Sequence, residues 1–336
     1  MAGTILLADM ECLSDTGILR KYQRKSDGTM FSVQTIITED DSQPQFHPNI
    51  LSLENLSKFH HPNLAKYYGY ALKSVEDKIH ILVFLEDSEG ALIDYIQNNE
   101  LTTEEATDLT QELAEVLMFI DKATNTLPAY ITPSSVLVSK DKDGNHHFKL
   151  FRALFIDSMG RIDEEDYKWM APELYERAKY EKFTIVISTD KAVLYSVGLI
   201  VLYSVTKEVI TQGRNEIASE QFSSVNPQQE KDLISKGLET MYTKHADGKL
   251  NEVVRHLLAY GDRKRADFET WQIKYRTVNT NLDISMQHTD QLNDSKYGWF
   301  NDGAITVRVS ARASGKKSTA KGCVDRRAEC MDCNMF

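Results

Sequence analysis

A chain of 336 residues with 41% hydrophobic content can bury a large core, organised as one or two domains. Its formal net charge of −11 argues against nucleic acid as a partner for the body of the protein. That charge is uneven: from Ala304 to Phe336 seven Lys/Arg stand against three Asp/Glu, a net of +4, which leaves −15 on residues 1–303.

The opening, MAGTILLADMECLSD, has no basic stretch and no long apolar run, so no signal peptide is expected. Gly3 is not at the position that N-myristoylation requires. Residues 17–38 alternate as two strands around a Ser26-Asp27-Gly28 turn, with Ile18, Met30, Phe31, Val33 and Ile36 as core contributors. An acidic loop from Glu39 to Pro48 leads to a short helical pattern carrying Ile50, Leu53, Leu56 and Phe59 on one face. Proline at position 62 disfavours helix in the residue before it and ends that pattern. Strands are expected over Leu64 to Leu72 and Lys78 to Phe84, then a short helix over Ala91 to Gln97.

Thr102-Thr103-Glu104-Glu105 reads as a capping box. The helix it starts would bury Ala106, Leu109, Leu113, Val116, Leu117 and Ile120. Ser135 to Ser139 and Phe148 to Phe151 read as a hairpin joined by a charged turn, Lys140 to His147, which contains Asp143-Gly144 and places His146 and His147 at the surface. An apolar run, Ala192 to Val205, is too short to span a bilayer and reads as a buried helix. Polar helical segments follow over roughly 215–222, 227–243 and 249–260. Periodicity weakens beyond Tyr275, and from Ser310 the composition is that of a disordered segment. The order is a small, mainly β lobe, then a larger α-helical lobe with one hairpin near their junction: an α+β, two-lobe domain with a cleft.

Seven short motifs stand in that order. They are His61-Pro62-Asn63-Leu64, Leu82-Val83-Phe84-Leu85-Glu86, Leu92 to Gln97, Thr132-Pro133-Ser134-Ser135-Val136-Leu137-Val138, Trp169-Met170-Ala171-Pro172-Glu173, Leu194 to Leu199, and Arg265-Ala266-Asp267-Phe268. Their order and spacing resemble the protein kinase superfamily, with a tyrosine-kinase-like flavour, over about residues 8 to 275. The resemblance implies a bilobal fold, with a small lobe over 8–84, a large lobe over 85–275 and a tail over 276–336. It also implies that Glu173 and Arg265 form a buried ion pair in the large lobe.

Phosphoryl transfer in that family needs a glycine-rich lid, a lysine held by a glutamate, an aspartate base, and an Asn/Asp pair that holds Mg²⁺. The lid position reads Cys12-Leu13-Ser14-Asp15-Thr16-Gly17 and keeps only its last glycine. The lysine position is Gln34 and its glutamate partner is Ser52. The base position is Tyr130, the asparagine is Ser135, and the metal-binding aspartate is Arg152, a cation that repels Mg²⁺. Asp157 is the alternative for that last aspartate, and Lys21 on a neighbouring strand the alternative for the lysine. A helix aspartate that braces the base loop appears as Val193, and Ala129 removes the arginine that reads a phosphorylated loop. Tyr130 stands either as a plug against nucleotide or as a half-buried tyrosine, and Arg152 either as solvated or as paired with Asp157 or Glu54.

With every polar catalytic position changed, the resemblance implies a pseudokinase with no catalytic residues. Gly17, Gln34, Phe84 and Glu86 remain as weak nucleotide-cleft positions. No cofactor or metal is expected, with ATP in the absence of Mg²⁺ left open. The expected role is a scaffold or allosteric partner for another protein, such as an active kinase. A divergent ATP-binding kinase with residual activity is the competing reading.

The tail ends Cys333-Asn334-Met335-Phe336, which fits a prenylation motif, with Cys330 and Cys323 as palmitoylation positions beside Lys316, Lys317, Lys321, Arg326 and Arg327. Asn334 and the nearby acidic residues count against it. Four cysteines, three of them crowded at this end, do not make a disulfide framework, so a cytoplasmic protein is expected, with the tail as its route to the cytosolic face of a membrane.

Overall fold

The computed structural model describes residues 3–14, 17–38, 58–75, 78–151, 166–180, 188–211 and 226–275. By contacts the chain divides into a unit over Met1–Val278 and a second over Asn279–Phe336. All described residues belong to the first.

Six strands among the described residues form one sheet: β1 (Gly3–Thr4), β2 (Met10–Ser14), β3 (Leu19–Arg24), β4 (Met30–Thr38), β5 (Tyr67–Val75) and β6 (Lys78–Leu85). Their spatial order is β1-β5-β6-β4-β3-β2. The expected β3–β4 hairpin forms around Gly28, whose φ of +75° suits a residue without a Cβ. Phe31 and Val33 are buried as expected, whereas Ile18 and Ile36 are partly covered.

The sheet begins before the expected lobe boundary at residue 8. β1 pairs in parallel with β5 at one edge, β2 forms the other edge, and residues 5–9 run between them. On the way, Ile5 and Leu7 pack on the sheet face formed by Met10, Tyr22, Phe31, Val33, Ala71, Leu82 and Phe84.

A second sheet, β7 (Gly90–Ala91), β8 (Val136–Lys140) and β9 (His146–Leu150), belongs to the larger lobe. Here two expectations need correction. The turn is Asp141–Asn145, tighter than expected, because the Asp141 carboxylate accepts the amides of Asp143 and Asn145, both at 2.8 Å, and Gly144 takes φ +89°. His146 and His147 therefore lie in β9 and are not free surface residues. His146 Nδ1 sits 2.5 Å from Glu105, and His147 Nδ1 lies 2.7 Å from Glu112.

The helices are α1 (Leu92–Asn98), α2 (Thr103–Thr124), α3 (Pro172–Tyr180), α4 (Asp190–Thr206), α5 (Pro227–His245) and α6 (Gly248–Leu257), followed by a final turn, Phe268–Thr270, and the π-helical Trp271–Tyr275. The capping box at Thr102 and Glu105 is present, and the apolar stripe of α2 is buried as its spacing predicts. α4 is apolar on every side and is the centre of the large core. α6 approaches it so closely that a Cβ on Gly198 would lie 2.9 Å from Leu258. The expected helix around Ile50, Leu53 and Leu56, the segment 215–222 and the tail lie outside the described residues.

Candidate functional site

The two lobes meet at a cleft whose roof is one face of the large sheet. Strand register decides which side chains face it. Gln34 is paired with Leu19 on one side and Val83 on the other, and Ser32 with Lys21 and Leu85. Side chains alternate, so these residues share a face. Phe84 therefore stands on the opposite face, packed edge-on against Tyr22 and Phe31. Its place as a cleft residue is corrected: Val83 and Leu85 line the roof. The run Ile79–Leu85 is nearly all apolar, so its own pattern does not reveal which parity faces inward.

The segment joining the lobes, residues 86–89, is tied on several sides. Glu86 accepts from Lys149 Nζ at 2.7 Å and from the Lys66 amide at 2.9 Å, while its own amide donates to the Lys66 carbonyl. Lys21 Nζ reaches the Asp87 carboxylate and the Ser88 carbonyl. The hydroxyls of Ser88 and Ser32 meet at 2.8 Å, both buried. Lys21 is thus directed to this connector, away from the Gln34 position it was a candidate to replace.

The floor is β8 and the loop before it. Ser135 is 1% exposed. Its hydroxyl lies 3.0 Å from that of Thr132 and accepts the Thr132 amide, and its backbone holds Thr132 and Phe151. A proline at position 133 starts this tight turn, and the two hydroxyls close it. Tyr130 is buried at 5% exposure within the large core, in the same cluster as Ala129, Ile131 and Val193. Of its two readings, plug or half-buried tyrosine, the structure gives a buried core residue.

At the mouth of the cleft, Gly17 takes φ +81°, and the next amide, Ile18 N, donates to Asp94 Oδ2 at 2.8 Å. Asp94 lies in the first turn of α1, where a carboxylate is favoured by the helix dipole. Between roof and floor runs one apolar cluster: Leu19, Tyr67, Ile81, Val83, Leu85, Ala91, Leu137 and Phe151, with Ile18 and Ile93 packed against it. It joins β3 of the small lobe to β8 of the large lobe through side-chain contact alone.

Away from the cleft, Arg265 forms a two-bonded ion pair with Glu173, at 2.6 and 3.1 Å. Its remaining donors reach the carbonyls of Ala259, Lys191 and Tyr260, and its guanidinium lies 4.6 Å from the Tyr195 ring centre. The segment that ends at Glu173 is further held by Ser196, whose hydroxyl donates to the Trp169 carbonyl at 2.7 Å. Ser52, Arg152, Asp157, Cys330 and Cys333 lie outside the described residues, as does any pairing of Arg152 with Asp157 or Glu54.

The sequence reasoning missed Asp94, Ser88 and Lys149. Asp94 had a signal, an acidic residue in the first turn of a short helix, but its partner lies 76 residues earlier in the chain. Among the described residues no group of His, Cys, Asp or Glu is placed to hold a metal ion, and no helix is long and apolar enough to cross a membrane. The Ser135 hydroxyl is turned into its own loop, Gln34 supplies no charge, and the Glu86 carboxylate is already paired.

The family model described as protein tyrosine and serine/threonine kinase matches residues 15–274. No curated protein matches the chain.

Proposed function

We propose, from the premise that this chain belongs to the protein tyrosine and serine/threonine kinase family, that it is a catalytically inactive member acting as a scaffold or allosteric partner for another protein. The observation that carries this reading is Tyr130. The family resemblance assigns its position to the base, and it holds a phenol buried in apolar core. A phenol with an ordinary pKa of about 10 takes no proton at neutral pH. A general base contributes ~10²- to 10⁴-fold to rate, and the described carboxylates around the cleft, Glu86, Asp87 and Asp94, are engaged by Lys149, Lys21 and the Ile18 amide.

Scaffold retained and chemistry removed is the pattern of a binding module. The anchors of the large lobe, Glu173 and Arg265, are paired, and Leu19, Val83 and Leu85 of the small lobe pack in one apolar cluster with Ala91, Leu137 and Phe151 of the large lobe. The partner we favour is a protein, such as an active kinase, that the net −15 on residues 1–303 would meet by electrostatic complementarity. Nucleic acid does not suit that charge. The basic tail and Cys333 are proposed as a peripheral contact with the cytosolic face of a membrane. Intact mass after expression in a eukaryotic host tests that part, and an unmodified Cys333 ends it.

The test of the main reading is a thermal-shift titration with ATP, with and without Mg²⁺. A ligand at a hundred times its Kd stabilises by about 2.7 kcal/mol, enough to move the midpoint by several degrees. No shift is expected under either condition. A Mg²⁺-dependent rise would overturn the inactive reading and return the divergent kinase. A rise with ATP alone would leave a nucleotide-binding scaffold.

A further inference from the structure

We infer that Asp94 and Lys21 form a two-point clasp that holds β3 shut over the cleft, so that these two contacts govern its opening. At the first point the backbone of Gly17 and Ile18 runs directly against the Asp94 carboxylate. A Cβ built on Gly17 would lie 2.7 Å from Asp94 Oδ2, and its φ of +81° is one that other residues rarely adopt. The φ favours glycine, and any larger residue would also have to displace the Asp94 carboxylate. The bond itself, Ile18 N to Asp94 Oδ2 at 2.8 Å, has an ionised acceptor and is of the stronger kind.

The second point lies three residues further along the chain, on β3. Lys21 Nζ holds both the Asp87 carboxylate and the Ser88 carbonyl, and Ser88 is fixed in turn by Ser32 on β4. Between the two points Leu19, 6% exposed, belongs to the apolar cluster that also contains Leu137 on the cleft floor. One polar contact therefore stands on each side of a shared apolar seam. β3 cannot lift from α1 and the connector without losing both polar contacts and exposing the seam. The inference does not depend on whether phosphoryl transfer is retained.

Hydrogen exchange of the full chain, resolved to single amides, tests it. In the unaltered protein, the amides of Ile18 to Tyr22 and of Leu85 to Ser88 are expected to exchange through one shared opening that steepens with urea, because it exposes buried surface. Asp94→Ala should speed that opening roughly ten- to a hundredfold, the range set by hydrogen bonds to charged groups, and Lys21→Met, whose partner Asp87 is half exposed, roughly two- to fivefold. Asp94→Asn keeps an acceptor oxygen and should stay within about threefold of the parent, the remaining loss being that of charge assistance. Two outcomes overturn the clasp. One is exchange at Ile18 in the unaltered chain that does not respond to urea. The other is exchange at residues 85–88 that moves in neither variant. Should a variant fail to fold, the unaltered chain decides alone. Neither readout involves nucleotide, so failure of the clasp and failure of the inactive reading are separable.

Discussion

Arg265 has no exposed side-chain surface, and every direction in which its guanidinium donates ends on an oxygen. Removing its counter-charge leaves a cation that can neither move to water nor lose its proton. Glu173→Ala should therefore cost about 3 kcal/mol, the lower end of the range for breaking a buried pair, because Glu173 itself is 37% exposed. A urea midpoint that falls with an unchanged slope would report it. Tyr130 makes the opposite case, a residue whose polarity is the wrong kind for chemistry and the right kind for its surroundings. Tyr130→Asp places a carboxylate in the large core and should destabilise by several kcal/mol. Combining it with Ser135→Asn and Arg152→Asp should still yield no transfer of labelled phosphate, since Gln34 and Ser52 are unchanged. Detectable transfer by that triple variant would defeat the inactive reading.

At the scale of elements, the junction at His61-Pro62-Asn63 joins the lobes through backbone pairing. Leu150 donates to the Asn63 carbonyl, Ala65 donates to the Leu150 carbonyl, and Leu64 bridges Leu150 in parallel. His61 holds this junction with its Nδ1 lone pair, which accepts the Asn63 amide at 3.1 Å, and its ring lies 4.9 Å from that of Phe119. Burial pushes the imidazole down to about 4 from its ordinary 6.5. The sign follows directly. The unfolded chain takes up this proton below pH 6.5 and the folded chain does not, so stability is full above pH 6.5 and falls as the pH drops toward 4. A His61→Gln variant should lose that share of the decline, read as the difference between the two stability profiles over this window. A flat difference would show that His61 protonates freely.

Elements with one polar and one apolar face were readable before any coordinates. The α2 stripe, its cap and the β3–β4 hairpin follow from periods of 3.6 and 2. Three things were not readable, two of them because the deciding partner is remote in sequence. Phe84 needed the register with Gln34 to show which way it faces. His146 and His147 looked like turn residues until the Asp141 carboxylate tightened the turn and drew both into β9, opposite Glu105 and Glu112. The Gly17 position looked like the remnant of a glycine lid, and only the approach of Asp94 shows what its missing side chain makes room for. The family motifs located the cleft. They did not disclose that Leu19, Val83 and Leu85 form one apolar cluster with Leu137 and Phe151 there.

At the scale of the whole domain, the large sheet is belted. Residues 3–9 run from the β5 edge across one face to the opposite edge, covering Phe31 and Phe84 on the way. Deleting residues 1–9 removes β1 and uncovers part of that face, where Ile5 and Leu7 are packed. Losing two half-buried aliphatic side chains should cost roughly 2–3 kcal/mol. Equilibrium urea unfolding checks this, and an unchanged midpoint would mean the belt adds nothing to the sheet.

The connector between the lobes has one more consequence. Glu86 is bound by Lys149 and Lys66, and Ser88 by Lys21 and Ser32, so the segment that would let the lobes rock is tied to both of them. In the partner binding proposed above, joints already tied on both sides would leave little motion to surrender on contact. The complex would form with a small entropic penalty, and its lifetime would be set by how fast the surfaces part, not by how slowly they find a common shape.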